Sequence, residues 1–318
     1  MPDRVRLRSL AKINLDLRVL HKRPDGFHEL RTIFQTISLA DTIEVEYQRG
    51  RTKIELKSNL NIPENLILRA ADLVMKAARG TGRLRFNLTK RIPMGSGLGG
   101  GSSNAAAVLL ALPALLRKSL SLEKLLELAA ELGSDVPFFL IGGTAVGIGR
   151  GTELYPLPDL APGPGLLIAP EIHSSTVSAY GALQREALDA GSPSILREFQ
   201  AFTLSACSPT PKPQPPSIND FETVVFRQHP QLESIKRKLL KLGARRAMMT
   251  GSGSALFGLF PSRELRDRAA ERFRKEFTGH RVFPFTMVSR GRYRAFWWRQ
   301  LAVSLENRTW PPQDRYAR

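Results

Sequence analysis

Apolar residues alternate with polar ones at Val5 and Leu7, and again at Ile13, Leu15, Leu17 and Val19. This is the period-two pattern of a half-buried strand, and it breaks near Ala11-Lys12. Arg23-Pro24-Asp25-Gly26 is a turn signal. Asp41 to Tyr47 and Lys53 to Leu56 alternate in the same way and predict a hairpin pair. From Glu64 to Arg79 the spacing of Leu66, Ala70, Leu73, Val74 and Ala77 becomes helical, and Leu84, Phe86 and Leu88 return to strand. A glycine-rich run then leads into an apolar helix from Asn104 to Leu116, which Pro113 should end or kink. Ser121 is placed to cap a helix that runs to Leu132, with Gly133 just past its end.

Composition changes at Tyr155-Pro156-Leu157-Pro158 and again at Ala161-Pro162-Gly163-Pro164-Gly165, which is where a domain boundary is expected. Beyond it the pattern predicts a buried strand from Gly165 to Ala169 and a proline-rich surface loop from Ser208 to Ser217. A helix over Leu232 to Leu242, strands over Arg246 to Thr250 and Ala255 to Phe260, a helix over Ser262 to Phe277 and a last strand over Arg281 to Val288 follow. The β-α-β-β-α-β order suggests a ferredoxin-like layer. The expected organisation is therefore a domain at 1–157, a second at 158–295 and a basic tail at 296–318. The tail region holds Trp297, Trp298 and Trp310, interleaved with Arg292, Arg294, Arg299, Arg308 and Arg315.

A length of 318 residues fits two domains of ordinary size, and no apolar run reaches the ~18 residues of a membrane span. The N-terminus has no apolar core of a signal peptide, and Cys207 is the single cysteine, so an intrachain disulfide or a cysteine zinc site is excluded. Together these lead to the expectation of a cytoplasmic protein. The net charge of +18 favours an anionic partner without choosing among nucleic acid, a membrane surface and a phosphorylated metabolite. An ordinary solvated basic surface fits it equally.

The strongest chemical signal is Pro93-Met94-Gly95-Ser96-Gly97-Leu98-Gly99-Gly100-Gly101-Ser102-Ser103. Backbone N–H groups approach a phosphate closely only where side chains are absent, and a helix start adds free N–H groups with a favourable dipole. The Ser102 and Ser103 hydroxyls could add donors. The run lacks the lysine of a Walker A loop and the acidic residue that follows a dinucleotide-binding loop. No His-Arg-Asp or Asp-Phe-Gly follows, which excludes a protein-kinase loop. It is a phosphate cradle of another kind.

The run Pro93 to Ala106 resembles the second motif of the GHMP kinases, the group that includes galactokinase and the homoserine, mevalonate and phosphomevalonate kinases. Ala11-Lys12-Ile13-Asn14-Leu15 resembles their first motif, and Thr250-Gly251-Ser252-Gly253-Ser254-Ala255-Leu256-Phe257 resembles the glycine loop of their third. Further segments narrow the likeness: Arg23 to Leu30, Glu64-Asn65-Leu66, Leu132 to Phe139 and Asn219-Asp220-Phe221-Glu222. They resemble the branch that phosphorylates a cytidine-diphosphate-linked polyol on the non-mevalonate route to isoprenoid precursors. The likeness covers roughly residues 7 to 295.

The resemblance implies an α+β fold of two domains, an N-terminal ribosomal-S5-like ATP-binding domain and a C-terminal ferredoxin-like domain. It implies ATP as phosphoryl donor, carried as its Mg2+ complex with no dedicated protein metal cage. It implies Asp135 as general base and Lys12 as its partner, with Pro93 to Ser103 on the phosphates and Asn65 near the adenine. The apolar Val136-Pro137-Phe138-Phe139 beside Asp135 agrees with a poorly solvated carboxylate that a lysine would keep ionised. Without the resemblance, Asp135 is as readily a capping or turn aspartate and Lys12 a solvated strand lysine. Asn14 lies two residues from Lys12, hence on the same strand face.

For the acceptor, the resemblance implies His28 on the cytosine edge, Phe27 or Tyr180 stacked on the ring, and Phe34, Thr176, Gly251, Ser252 and Gly253 nearby. Phe27 stands where the family more often has Tyr, so a phenol contact is lost while stacking survives. Phe34 and Tyr180 are equally compatible with core packing, and His28 with a turn. A monomer or homodimer acting on a small molecule, with no required nucleic acid, is expected. The alternatives are another GHMP kinase, of mevalonate or homoserine type, or a nucleic-acid-binding protein that uses the Trp/Arg tail.

Overall fold

The computed structural model describes residues 3–172, 174–183, 193–206, 217–301 and 310–312. The proline-rich loop expected at 208–217 lies outside the described residues except for Ser217. The first half contains β1 (Asp3–Lys22), β2 (His28–Gln48), β3 (Lys53–Ser58), α1 (Leu66–Ala77), β4 (Arg83–Thr89) and α2 (Gly100–Leu116). It continues with α3 (Leu122–Leu132), α4 (Val136–Ile141), β5 (Thr144–Gly149) and β6 (Glu153–Pro156). The second half has β7 (Pro164–Ala169), α5 (Thr176–Leu183), α6 (Pro193–Ala206), α7 (Phe221–Gln228) and α8 (Pro230–Lys241). It ends with β8 (Arg246–Met249), β9 (Leu256–Leu259), α9 (Arg263–Glu276), β10 (Arg281–Thr286) and α10 (Arg290–Leu301).

Strands of the first sheet run β3-β4-β2-β5-β6, with β1 along the other edge of β2. The hairpin expected between 41–47 and 53–56 does not form. Instead β4 pairs with β2, and β3 joins the outer edge of β4 in parallel, Ile54 opposite Leu84. A parallel pair needs a crossover connection, and α1 supplies it. The second sheet has the order β10-β7-β9-β8, with every pair antiparallel, as a ferredoxin-like layer requires.

Three apolar clusters divide the interior. One lies between the first sheet and α1–α4, centred on Val5, Leu7, Ile43, Leu84 and the apolar face of α2. A second joins the two sheets through Ile13, Leu15, Leu167, Phe257 and Phe285. A third packs α7, α8 and α9 on the second sheet and also takes Leu17 and Val19 from β1. The break expected near Ala11-Lys12 is a register shift within one continuous strand, between Leu10 and Lys12. Val5 and Leu7 face the first cluster, whereas Ile13 and Leu15 face the second. A shift of this kind exchanges the two faces of a strand, because side chains alternate with a period of two.

Pro113 does not stop α2, which runs on to Leu116. It ends at Arg117 in the left-handed conformation, φ 54°. Ser121 caps α3 as expected, accepting a hydrogen bond from the Lys124 N–H. The tail boundary placed at 296 is corrected, since it cuts through α10. This helix buries Tyr293 and Trp297 in the first cluster, with Trp310 packed against the same core. Among the described residues, no helix is long and apolar enough to cross a membrane.

Candidate active site

The register shift at Lys12 puts this residue's polar groups to work outside the sheet. Its backbone N–H donates to the Leu98 carbonyl in the glycine loop at 3.0 Å. Its side chain is 4% exposed, and Nζ donates to Asn14 Oδ1 at 2.8 Å. Nζ also lies 3.3 Å from Asp135 Oδ2 and 5.3 Å from the centroid of the Phe34 ring. A lysine charge so removed from water needs a partner, and Asp135 provides it. Asp135 stands at the N-cap of α4 but makes no side-chain cap bond, so its carboxylate turns to Lys12 and the cleft. The Asp135 side chain is 34% exposed, which leaves it open to an incoming hydroxyl.

Asn14 links the two glycine loops. Besides Lys12, its Oδ1 accepts the Gly251 N–H at 3.0 Å, and its Nδ2 donates to Thr32 Oγ1 at 2.8 Å. The Thr250 hydroxyl accepts the Asn14 N–H at 3.1 Å and lies 3.2 Å from the Gly97 carbonyl oxygen. The loops approach so closely that a Cβ on Gly97 would meet the Thr250 carbonyl oxygen at 2.0 Å. Asn219 holds the second loop from behind, donating from Nδ2 to the carbonyls of Met249 and Gly251. The rest of the Asn219-Asp220-Phe221-Glu222 segment is likewise structural. Asp220 accepts from the Val19 N–H and Glu222 from the Met249 N–H, and Phe221 meets the Tyr180 ring edge-on.

Below the first loop lies a polar network that sequence reasoning missed. Asp41 Oδ1 accepts the N–H groups of Arg91 and Ile92, and its Oδ2 pairs with Lys90 Nζ at 2.5 Å. Asn104 on α2 joins through Nδ2 to Asp41 Oδ2 and to Ser9 Oγ. The pair is buried, with side-chain exposures of 4% for Lys90 and 0% for Asp41. A Cβ on Gly100 would lie 2.8 Å from Lys90 Nζ, so the lysine sits against the start of α2. Lys90 precedes Pro93 by three residues, which is a usable signal. Asp41 is far off in sequence and carries none.

The predicted phosphate residues divide into two groups. Pro93, Met94, Gly95, Gly97, Leu98, Gly99, Gly100, Gly101 and Ser102 line one continuous cleft of about 930 Å3 together with Lys12, Asn14, Lys90 and Asp135. Ser96 lines it too, but its hydroxyl already donates to the Pro93 carbonyl within the loop. Ser103 is a correction. It is 2% exposed and donates to the Leu10 carbonyl, so it ties α2 to β1 instead of facing the cleft. Asn65 borders both the cleft and an adjoining cavity of about 880 Å3 between β3 and α1. Its Oδ1 caps α1 by accepting the Ile67 N–H.

At the far end of the cleft His28 and Tyr180 stack on each other, with centroids 4.7 Å apart and planes 24° from parallel. Burial, followed by the charges of Lys22 and His21, holds the His28 imidazole below its ordinary value. Burial, and next the Asp135 carboxylate, raise the Tyr180 phenol. Phe27 is 47% exposed, and its face is covered by the Arg150 guanidinium, 3.5 Å from the centroid. Arg150 also escaped the sequence reading. Phe34 forms the floor beneath Lys12 and packs on Phe138, centroids 5.0 Å apart. Thr176 Oγ1 reaches Ser252 Oγ at 2.9 Å, so the second glycine loop and α5 close one side.

Residues 65–143 match the family model described as GHMP kinases N terminal domain, and residues 211–279 the one described as GHMP kinases C terminal. The first match takes in the first glycine loop, and the second takes in the other glycine loop with β8 and β9 on either side of it. A protein of Solibacter usitatus named 4-diphosphocytidyl-2-C-methyl-D-erythritol kinase is 54% identical over 98% of this chain and 97% of its own. One of the same name from Thermus thermophilus is 41% identical over 83% of this chain and 90% of its own. A crystal structure of 4-(cytidine 5'-diphospho)-2C-methyl-D-erythritol kinase superposes with a TM-score of 0.74 at 38% identity, covering 89% of this chain and 98% of that one. Homoserine kinase from Cytophaga hutchinsonii, at 18% identity and a TM-score of 0.68, shares the fold. The chain belongs to the 4-diphosphocytidyl-2-C-methyl-D-erythritol kinases of the GHMP kinase family.

Proposed function

We propose that this chain transfers the γ-phosphoryl group of ATP to the 2-hydroxyl of 4-diphosphocytidyl-2-C-methyl-D-erythritol in the non-mevalonate route to isoprenoid precursors. The observation that carries the reading is the Lys12–Asp135 pair, 3.3 Å apart and open to the cleft beside the first glycine loop. Asp135 takes the proton of the acceptor hydroxyl as its oxygen attacks the γ-phosphorus, and the bond to the leaving ADP oxygen breaks. Lys12 pairs with the Asp135 carboxylate and faces the negative charge that gathers on the transferred group. Asn14 holds the Lys12 ammonium in place.

The nucleotide's phosphates lie over Gly97 to Ser102, and its base lies toward the cavity that Asn65 shares with the cleft. The cytidine end lies at His28, Tyr180, Phe27 and Arg150. Among the described residues no group of three or more His, Cys, Asp or Glu could hold a metal ion. The donor set at the loop, the Asp135 carboxylate and the Ser102 hydroxyl, fits a magnesium ion that arrives on the nucleotide. Bound there, the ion offsets phosphate charge.

A coupled ADP-release assay across acceptors tests the reading. Turnover with the cytidine-linked polyol and not with mevalonate or homoserine is expected. Equal turnover with an acceptor that lacks the cytidine diphosphate would sink the substrate assignment.

A further inference from the structure

The last carbonyls of a helix have no partner within it, and a helix as short as α4 gains little from its own hydrogen bonds. In α4 the Phe138 carbonyl accepts the Gly142 N–H at 2.9 Å. The next two carbonyls are met from the far end of the chain. Tyr293 Oη donates to Phe139 O at 2.6 Å, and Trp310 Nε1 donates to Leu140 O at 2.7 Å. Tyr293 is 1% exposed and lies directly on Gly142, where a Cβ would meet its ring at 2.2 Å. Its helix is docked firmly. The Arg290 N–H donates to Asp159, and its guanidinium donates to the carbonyls of Thr144 and Leu157. Trp310 in turn packs under the Arg294 guanidinium, 5.1 Å from the ring centroid, and edge-on to Trp298.

The other end of α4 carries Asp135, and its middle touches both sides of the site. Phe138 packs on Phe34, which floors Lys12, and Phe139 packs on Gly99, where a Cβ would meet its ring at 2.9 Å. Neither Tyr293 nor Trp310 lines the cleft. We propose that they are positioning residues for the phosphoryl transfer: by holding the last carbonyls of α4, they set the place of Asp135 relative to Lys12 and the glycine loop. The proposal rests on Asp135 being the general base. Transfer is sensitive to such placement, since a misplacement of about 1 Å costs on the order of 100-fold in rate.

The test uses Tyr293→Phe and Trp310→Phe, which delete one donor each and keep the ring. Each is expected to lower kcat about 5- to 10-fold with both KM values within about twofold, and the double variant to lower it about 50-fold. In an Asp135→Asn background the same substitutions should add less than about twofold, because their effect passes through Asp135. Leu84→Val, a small cavity in the same core, should lower thermal stability and leave kcat per folded molecule unchanged. Unchanged kcat in both single variants would overturn the proposal, as would equal losses in the Asp135→Asn background or an equal loss in Leu84→Val. If Tyr293→Phe does not fold, Trp310→Phe carries the comparison alone. If Asp135→Asn keeps near-parental turnover, the general-base reading falls and this proposal with it. If Asp135→Asn is inactive while Tyr293→Phe and Trp310→Phe both keep the parental kcat, only this proposal falls.

Discussion

Gly97 and Gly251 meet backbone to backbone: a Cβ on Gly251 would stand 2.9 Å from the Gly97 Cα, and one on Gly97 would stand 3.2 Å from the Gly251 Cα. The first glycine loop is therefore seated on the second. Gly97→Ala should force the loops apart. Gly26 supplies the comparison, since it also has a positive φ but nothing lies within 4 Å of its Cβ. Gly26→Ala should cost only the backbone strain, about 1–2 kcal/mol. Gly97→Ala should cost more and also raise the KM for ATP at least about tenfold. Chemical denaturation and initial-rate kinetics on the two variants check this, and equal effects would count against the seating.

The Lys12–Asp135 pair makes its own forecast. Asp135→Ala should lower kcat by at least about two orders of magnitude, the scale of a general base, with a small change in the KM for ATP. Lys12→Met removes the buried charge that faces Asp135 and should lower kcat to a similar degree. The double variant should be little worse than either single one, because the two act as a unit. Steady-state rates settle it, and near-normal turnover in Asp135→Ala would remove the assignment.

Asp41→Asn leaves Lys90 buried beside a neutral amide. Breaking a buried pair in this way costs about 3–5 kcal/mol. The substitution also loosens the links from Asp41 to Asn104 on α2. A lower urea midpoint and weaker ATP binding are expected together. Loss of stability with ATP affinity intact would mean that the network supports the core but not the loop.

His28 gives a pH dependence with a definite sign. Its folded-state pKa is depressed below the ordinary 6.5, by burial first and the Lys22 and His21 charges next. The unfolded chain therefore takes up this proton at higher pH than the folded one. The contribution to stability is complete above pH 6.5 and is lost as pH falls through the depressed value. In the same range the ring gains charge and loses its acceptor nitrogen, so the acceptor KM should rise. His28→Gln should flatten that rise. A KM profile from about pH 5 to 8 that is identical in parent and variant would exclude His28 from acceptor recognition.

Much of the site could be read from local pattern. Lys12 and Asn14 share a face because they are two residues apart, and the glycine loops announce themselves by composition. The β-α-β-β-α-β order gave the second sheet. What escaped depends on pairing between distant segments. Nothing near Lys53 says that its strand crosses to β4 in parallel, and nothing near Asp41 says that it will meet Lys90. Ser103 was misread for the same reason: a serine after a glycine loop resembles a phosphate contact until β1 is folded beneath it. Of the tryptophans at the end, read as a candidate surface for a nucleic acid, Trp297 instead lies in the first core and Trp310 packs against it.

The two opening strands, 20 and 21 residues long, have a further effect. Each runs through territory of both halves: Val5 and Val45 lie in the first cluster, and Leu17 and Leu30 in the third. The boundary expected from composition near 157 is not a boundary of the hydrogen-bonded ladder, since β1 and β2 pack with both halves. A protease cut near 157 would leave the C-terminal fragment docked on β1 and β2, a keel that the N-terminal fragment carries whole. Calorimetry should accordingly record a single melting event instead of two.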